Sequence, residues 1–149
     1  MASNPTYSDI TPEVEMLAKL ALSNSTIDPE DYTRYNVKRG LRDLNGKGVL
    51  AGLTEIADVH ASETLPDGTT VPCDGELYYR GYNVRDLVKG FVNDHRLGFE
   101  ETAYLLMFGQ LPNAQQLYDF DAQLCLYRSL PSNFVRDVIL KAPNKDIMN

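Results

Sequence analysis

The sequence has few cysteines, few histidines and a deficit of positive charge. Its 149 residues include two cysteines, Cys73 and Cys125, and two histidines, His60 and His95. Two cysteines cannot build a disulfide framework, so we expect free thiols in a reducing cytoplasm. The 14 Lys and Arg residues stand against 21 Asp and Glu residues, giving a formal charge of −7. This balance opposes binding to nucleic-acid phosphates, and we expect no nucleic-acid partner.

Long apolar segments are also missing. Residues 1–10 are mostly small and polar and show no signal peptide. The longest strongly apolar runs are far shorter than the roughly 20 residues that span a membrane. We therefore expect no membrane partner and a cytoplasmic location. The 43% of hydrophobic and 23% of charged residues are typical of a globular protein, and the length suits one domain.

The glycine-rich run at residues 46–52 comes near a dinucleotide-binding fingerprint but does not match it. Its third glycine lies one position late, and a predicted helix rather than a strand precedes it. No Gly-Lys-Ser/Thr sequence of a phosphate loop occurs either. A nucleotide-binding module is therefore a disfavoured third hypothesis, and we expect no cofactor.

The two histidines have no partners at metal-binding or catalytic spacing. His60 and Cys73 fall in different parts of a predicted β-ribbon, and His95 lies in a polar loop. We expect each histidine to be a surface or capping residue. The sequence thus predicts no catalytic, cofactor-binding or metal-binding residue.

Two pairs of acids and one arginine are also considered as candidate site residues. Glu100 and Glu101 fall in the first turn of a predicted helix, where the helix dipole favours acids. Asp74 and Glu76 lie close together in the ribbon. Arg80 follows a predicted strand, where it either acts in a functional clamp or pairs with an internal carboxylate.

Capping signals predict two N-terminal helices. Thr11 followed by Pro12 begins the first, which ends near residues 23–25. Asp28 followed by Pro29 begins the second, which we expect to run to Leu41 or Leu44.

The spacing of apolar residues then changes and predicts a small β-hairpin or ribbon over residues 53–80. Leu77, Tyr78 and Tyr79 form its second short strand. Turn signals occur at residues 66–68 and 74–75. Between the strands we expect a rather long loop, residues 61–74.

After Gly81 the pattern is helical. Asn83 caps a short helix, a second ends at Gly109, Asn113 caps a third that ends by Pro131, and Ser132 opens a fourth. The inward-facing residues are expected to be Val84, Leu87 and Val88; Phe99, Ala103, Leu106 and Met107; Leu117, Phe120, Leu124 and Tyr127; and Val135, Val138 and Ile139.

Pro143 stops the fourth helix, and residues 144–148 read as a helix start with no stop signal before Asn149. We therefore expect the chain to be truncated.

Five segments, in order, carry a resemblance to a known family: RGLR at 39–42, GVLAGLT at 48–54, IADVH at 56–60, GELYYRGYNVRDL at 75–87 and FEETAYLLMFGQLP at 99–112. The chain resembles the N-terminal part of the citrate synthases, most closely over residues 37–149. The extended 37–60 segment is similar to the type found in anaerobic Gram-positive (clostridial) bacteria, and not to the NADH-regulated Gram-negative type.

The resemblance implies a mainly α-helical, two-domain homodimer that condenses acetyl-CoA with oxaloacetate to citrate and CoA, without a metal. This segment would belong to the larger domain, with a helical arm at 1–45, the ribbon at 46–82 and helices at 83–149. Family members use an aspartate and a histidine to enolise the thioester and a second histidine to assist the attack. The His-Gly-Gly-Ala-Asn and Gly-His-x-x-Tyr segments of intact members do not occur here.

Two functional alternatives accompany this reading. The chain alone is expected to be inactive and is then a non-catalytic helical association module. The intact protein is either a citrate synthase or a 2-methylcitrate synthase, because the features found here are shared by both.

Overall fold

The computed structural model describes residues 9–43, 46, 48–141 and 146. The first two helices begin where proline follows a capping residue, as predicted. Helix α1 spans Pro12–Ser23, and the Thr11 hydroxyl accepts a hydrogen bond from the Val14 N–H at 3.3 Å. Helix α2 spans Pro29–Arg34, and the Asp28 carboxylate accepts one from the Glu30 N–H at 2.9 Å. Each cap satisfies a backbone donor that has no partner within the helix.

Helix α2 is much shorter than predicted, because the chain leaves the helical conformation at Asn36. This residue has a φ of 53°, in the left-handed region that asparagine tolerates better than most residues. The Val37 N–H then donates back to the Tyr32 carbonyl at 3.0 Å, closing the helix in the manner of a Schellman motif. The prediction that α2 reaches Leu41 is wrong, and Leu44 lies outside the described residues.

Three antiparallel strands follow, in the order β1-β2-β3. They span Ala57–Thr64, Thr70–Tyr79 and Tyr82–Asn83. The predicted turn at residues 66–68 is confirmed: the Leu65 N–H donates to the Thr69 carbonyl at 2.8 Å, and Gly68 has a φ of 82°.

The expected long loop at residues 61–74 is wrong, because most of it forms the ladder between β1 and β2. Ser62 pairs with Pro72 and Thr64 with Thr70. The predicted turn at residues 74–75 is also wrong, since both lie inside β2. Residues 74 and 75 lie opposite the point in β1, between His60 and Ser62, where the register shifts. Such a β-bulge changes the register without reversing the chain.

Three helices pack after the ribbon, and the two predicted asparagine caps are confirmed. Helix α3 spans Val84–Asn93, α4 spans Phe99–Phe108 and α5 spans Ala114–Leu126. Asn83 caps α3, and Asn113 forms a reciprocal capping box with Gln116 at the start of α5. Gly109 ends α4 with a φ of 78°, the left-handed conformation that favours glycine at this position.

The core lies where α1, α4 and α5 meet. Tyr104, Phe108 and Phe120 pack edge to face, with ring centroids 4.5–5.7 Å apart. Partly buried apolar residues from all three helices surround these rings: Leu17, Leu20, Ala21, Ala103 and Leu124.

The inward face of α4 was predicted wrongly in part. The most buried α4 residues are Tyr104, Leu105 and Phe108, whereas Phe99 is 75% and Met107 51% exposed. The sequence of α4 is apolar on most sides, so helical spacing alone does not select a face. The positions of α1 and α5 make that selection.

Two other predicted faces are only partly buried. In α3, Leu87 is buried but Val88 is 49% exposed. The expected fourth helix is a π-helical turn at Val135–Ile139. Its three apolar residues Val135, Val138 and Ile139, which were expected to face inward, are each about half exposed. The predicted helix start at residues 144–148 falls outside the described residues except for Asp146.

The architecture is therefore mostly helical with one small antiparallel sheet, as the sequence predicts. No helix in the described part of the chain combines the length and apolar character that a membrane crossing needs.

Candidate functional site

Arg80 and Gly81 form the two-residue turn between β2 and β3. Their φ angles are 47° and 85°, and positive φ at both central residues is the requirement of a type I′ hairpin turn. Tyr79 and Tyr82 pair directly on either side of the turn. The Arg80 N–H also donates to the Ile56 carbonyl at 2.9 Å, so the turn continues the ladder with β1.

The Arg80 side chain extends from this turn to the helices and is only 8% exposed. Its Nη2 donates to the Asn24 carbonyl at 3.0 Å and to the Leu106 carbonyl at 3.2 Å. The Nε donates to the same Leu106 oxygen at 3.4 Å. One guanidinium thus joins the ribbon to the end of α1 and to the last turn of α4.

The expected internal carboxylate partner of Arg80 is present only as a weak contact. Glu55 lies 4.0 Å from Nη1, and its side chain is 60% exposed. Solvent screens such a pair, so its contribution is at most about 1 kcal/mol. The main acceptors of Arg80 are instead helix-end carbonyls, which lack partners within their own helices.

Glu100 and Glu101 lie in the first turn of α4, as predicted. Each also pairs with an arginine from a neighbouring segment. Glu101 pairs with Arg96, which also contacts Asp94 at 3.0 Å, and Glu100 pairs with Arg128 at 3.2 Å. The hydrogen bonds that the Arg96 guanidinium donates, first to Asp94 and then to Glu101, raise its pKa. Both glutamates therefore fasten chain segments to the start of α4.

His95 ends α3, which agrees with its expected capping role. It has a φ of 53°, and its N–H donates to the Val92 carbonyl at 3.2 Å. The following Arg96 N–H donates to the Phe91 carbonyl at 2.9 Å, completing a Schellman-type closure. The His95 side chain is exposed.

His60 is exposed on the surface, as expected, but the ribbon places it beside two other ligand-bearing side chains. The ribbon brings ligand atoms of His60, Glu63 and Cys73 within 4.8 Å of one another. Partial burial, followed by the charges of Glu63, Glu76 and Asp74, raises the pKa of the Cys73 thiol. Sequence spacing missed this cluster, because thirteen positions of chain separate His60 from Cys73 and only the strand register joins them.

Asp74 and Glu76 flank the same cluster. Glu76 is the cross-strand partner of His60, and its carboxylate accepts a hydrogen bond from the Tyr78 hydroxyl. This hydrogen bond is the main cause of the raised pKa of Tyr78. Both acids act on the Cys73 thiol, so they belong to a larger polar group on the ribbon.

The glycine-rich run does not form a nucleotide-binding turn in its described part. Gly48 bridges to Arg42, whose guanidinium donates to the Gly46 carbonyl at 2.8 Å. Residues 49–54 have no helical conformation, so no helix N-terminus follows to hold a phosphate. Lys47 lies outside the described residues.

The main apolar concavity lies over the core, between α1, α4 and α5. It is a groove of about 550 Å³, with Met16, Leu17 and Leu20 on one wall and Tyr104 and Phe120 at its base. Its lining also includes Glu13, Gln116, Asp119 and Gln123, and it contains neither histidine of the chain.

Comparisons with known proteins relate this architecture to one family. The family model described as the citrate synthase C-terminal domain matches residues 41–149. The chain is 36% identical over 103 residues to 2-methylcitrate synthase 2 of Corynebacterium glutamicum, covering 69% of this chain and 21% of that protein. It is 32% identical over 119 residues to the peroxisomal citrate synthase 1 of Arabidopsis thaliana, covering 80% of this chain and 22% of that protein.

An archaeal relative gives a similar result. The citrate synthase of Saccharolobus solfataricus is 36% identical over 76 residues, covering 49% of this chain and 19% of that protein. The chain thus spans about a fifth of the length of these curated relatives. No solved structure gives a significant match. Because the family model covers well over half of the sequence, the chain belongs to the citrate synthase family.

Proposed function

We propose that this chain is part of the scaffold of a citrate synthase, which condenses acetyl-CoA with oxaloacetate. The observation that carries the proposal is the continuous family match over residues 41–149. The intact protein would work as a cytoplasmic homodimer, and this segment would be the N-terminal part of its larger domain. The extended 37–60 segment favours the type found in anaerobic Gram-positive bacteria.

The acid and base groups of the reaction are proposed to lie outside these 149 residues. Removing a proton beside a thioester carbonyl requires positioned acid and base groups in a site that excludes water. His95 is an exposed residue at the end of α3, and His60 is exposed on the ribbon. These positions support a chain that holds structure and performs no chemistry by itself.

The acyl donor distinguishes two candidate reactions of the intact protein. Relatives named as citrate synthases and as 2-methylcitrate synthases match the chain at similar identity. The two products differ by one methyl group, so their acyl donors differ by one carbon, as acetyl-CoA and propionyl-CoA do. A pocket discriminates one methylene by about 10–200-fold, and we propose that the residues of that pocket lie outside this chain.

A chimera tests the scaffold proposal. The aligned 103-residue segment of the Corynebacterium glutamicum relative is replaced by the matching part of this chain. We expect the chimera to release CoA with oxaloacetate and to keep the host's ratio of kcat/KM for propionyl-CoA over acetyl-CoA.

The unaltered host is the control, and circular dichroism and gel filtration establish that the chimera folds. A folded chimera without activity would contradict the scaffold role. A folded chimera with a changed acyl-CoA preference would place specificity residues within this chain.

Association without catalysis is the second candidate function of the isolated chain, and exposed apolar residues favour it. Leu97 is 91% and Tyr118 71% exposed, and both line one shallow hollow beside α4 and α5. Phe99, at the start of α4, is 75% exposed. Leu97 and Tyr118 share the hollow with Ala114 and Leu117, and exposed apolar residues grouped in this way are typical of a protein–protein interface.

A further inference from the structure

The bulge in the ribbon gathers three side chains of different ligand chemistry. His60 pairs with Glu76 and Ser62 with Pro72, which leaves Ala61 opposite the three residues 73–75. In a regular strand, residues three positions apart point to opposite faces. Although His60 and Glu63 are three positions apart in β1, their ligand atoms and that of Cys73 lie within 4.8 Å of one another at this irregularity of the ladder.

We infer that His60, Glu63 and Cys73 form a binding site for one divalent metal ion, best suited to Zn²⁺, which links the two long strands of the ribbon. The site is independent of the condensation proposed above. It provides an imidazole nitrogen, a thiolate sulfur and a carboxylate oxygen from two strands. This is the mixed donor set that Zn²⁺ accepts, whereas Mg²⁺ and Ca²⁺ select oxygen ligands alone.

The distances are close to those of a metal site and require only a small contraction. Bond lengths of about 2.0–2.3 Å place neighbouring ligand atoms of a tetrahedral zinc site about 3.3–3.8 Å apart. The ligand atoms here must therefore approach by roughly 1 Å. His60 and Glu63 are exposed and free to adjust their rotamers, while Cys73 is half-buried and fixes one corner.

The charges around Cys73 favour a cation. Glu63, Glu76 and Asp74 all act on the thiol, and no Lys or Arg side chain within the described residues forms an ion pair with these three acids. A bound Zn²⁺ offsets this negative charge and takes up the thiolate directly. Water completes four-coordination, as it does at zinc sites with three protein ligands.

The predicted consequence is mechanical. A metal ion would be held by His60 and Glu63 of β1 and by Cys73 of β2. It would fix the register of β1 against β2 at the point where the ladder is interrupted. Zinc binding should therefore stabilise the folded chain, because an ion that binds only the folded state shifts the unfolding equilibrium.

Zinc titration of the reduced, metal-free 149-residue chain tests the inference by competition with a chromogenic chelator. We expect saturation at one ion per chain. Co²⁺ in place of Zn²⁺ should give a thiolate-to-metal charge-transfer band in the near ultraviolet. Because outer-shell changes alone cost about 10–100-fold in metal affinity, Cys73→Ser and His60→Asn should each cost about 100-fold or more.

The chain supplies matched controls, since it has one other cysteine and one other histidine. Cys125→Ser and His95→Asn should leave zinc affinity, the cobalt band and the zinc-dependent rise in Tm unchanged. Circular dichroism verifies that every variant folds. Absence of saturable binding would overturn the inference, as would a cobalt complex without the thiolate band, or equal losses in the Cys73 and Cys125 variants.

Discussion

Replacing Arg80 by methionine should separate the ribbon from the helices without changing the chain elsewhere. Methionine keeps the length and much of the apolar stem but removes the guanidinium. Neither residue has a special tolerance for the φ of 47° at this position, so the backbone cost of the turn cancels in the comparison. The difference in stability then reports the contacts of the guanidinium.

The structure gives the size of this effect. Nη2 donates to the Asn24 carbonyl at 3.0 Å and to the Leu106 carbonyl at 3.2 Å. A hydrogen bond from a charged donor contributes about 1.5–3 kcal/mol, or about 3–6 kcal/mol for two. Removing a buried charge returns part of this energy, so we expect Arg80→Met to lower the free energy of unfolding by about 2–4 kcal/mol.

Urea denaturation followed by far-ultraviolet circular dichroism measures the change. With a slope of about 1–3 kcal/mol per molar urea, a loss of about 2–4 kcal/mol should lower the midpoint by roughly 0.7–4 M. The matched control is Arg136→Met, because Arg136 is 68% exposed and contacts its neighbour Asp137. That variant should remain within about 0.5 kcal/mol of the parent. Equal stability of the Arg80 and Arg136 variants would refute the role of Arg80 as a joint.

Two further predictions concern the end of α4 and the exposed apolar surface. Gly109→Ala should lower the free energy of unfolding by at least about 1–2 kcal/mol in a urea titration, because φ is 78° and the new Cβ would lie 2.7 Å from the Asn24 Oδ1. Gly90→Ala has open space around it and should raise the free energy of unfolding by up to about 1 kcal/mol. The opposite order of stability would contradict the packing described here. Sedimentation of the chain should show self-association through the surface around Leu97 and Tyr118, whereas a stable monomer with a sharp thermal transition would argue against it.

Helix ends were predictable because their causes are local. Thr11, Asn83 and Asn113 each accept a hydrogen bond from a backbone N–H two or three positions ahead, and Gly109 adopts the left-handed conformation its type favours. Each signal needs only a few neighbouring residues. The early end of α2 belongs to the same class, and Asn36 was the local signal available for it.

Features that depend on distant chain segments were not predictable in the same way. The buried face of α4 is selected by Phe120 of α5 and by residues of α1, none of which is apparent from the α4 sequence. The cluster at Cys73 requires the register of β1 against β2, including a bulge. Hydrophobic alternation predicts a strand but not a register shift within it.

For Arg80, the turn was indicated by local sequence, whereas the partners of its side chain depend on distant segments of the chain. The Arg80-Gly81 pair lies between tyrosines at a predicted strand end, and the sequence marked this arginine as either a clamp or an ion-pairing residue. Its acceptors at Asn24 and Leu106 lie 56 and 26 positions away along the chain. Only the packing of the helices against the ribbon identifies them.

The most direct test is whether the purified 149-residue chain releases CoA. This measurement shows whether the chain lacks the acid and base groups of the condensation and serves only as a scaffold. Acetyl-CoA and oxaloacetate are supplied, free thiol is followed with a chromogenic reagent, and an intact citrate synthase serves as the positive control. We predict a rate equal to that of the protein-free blank. Turnover above the blank that His60→Ala or His95→Ala abolishes would contradict it.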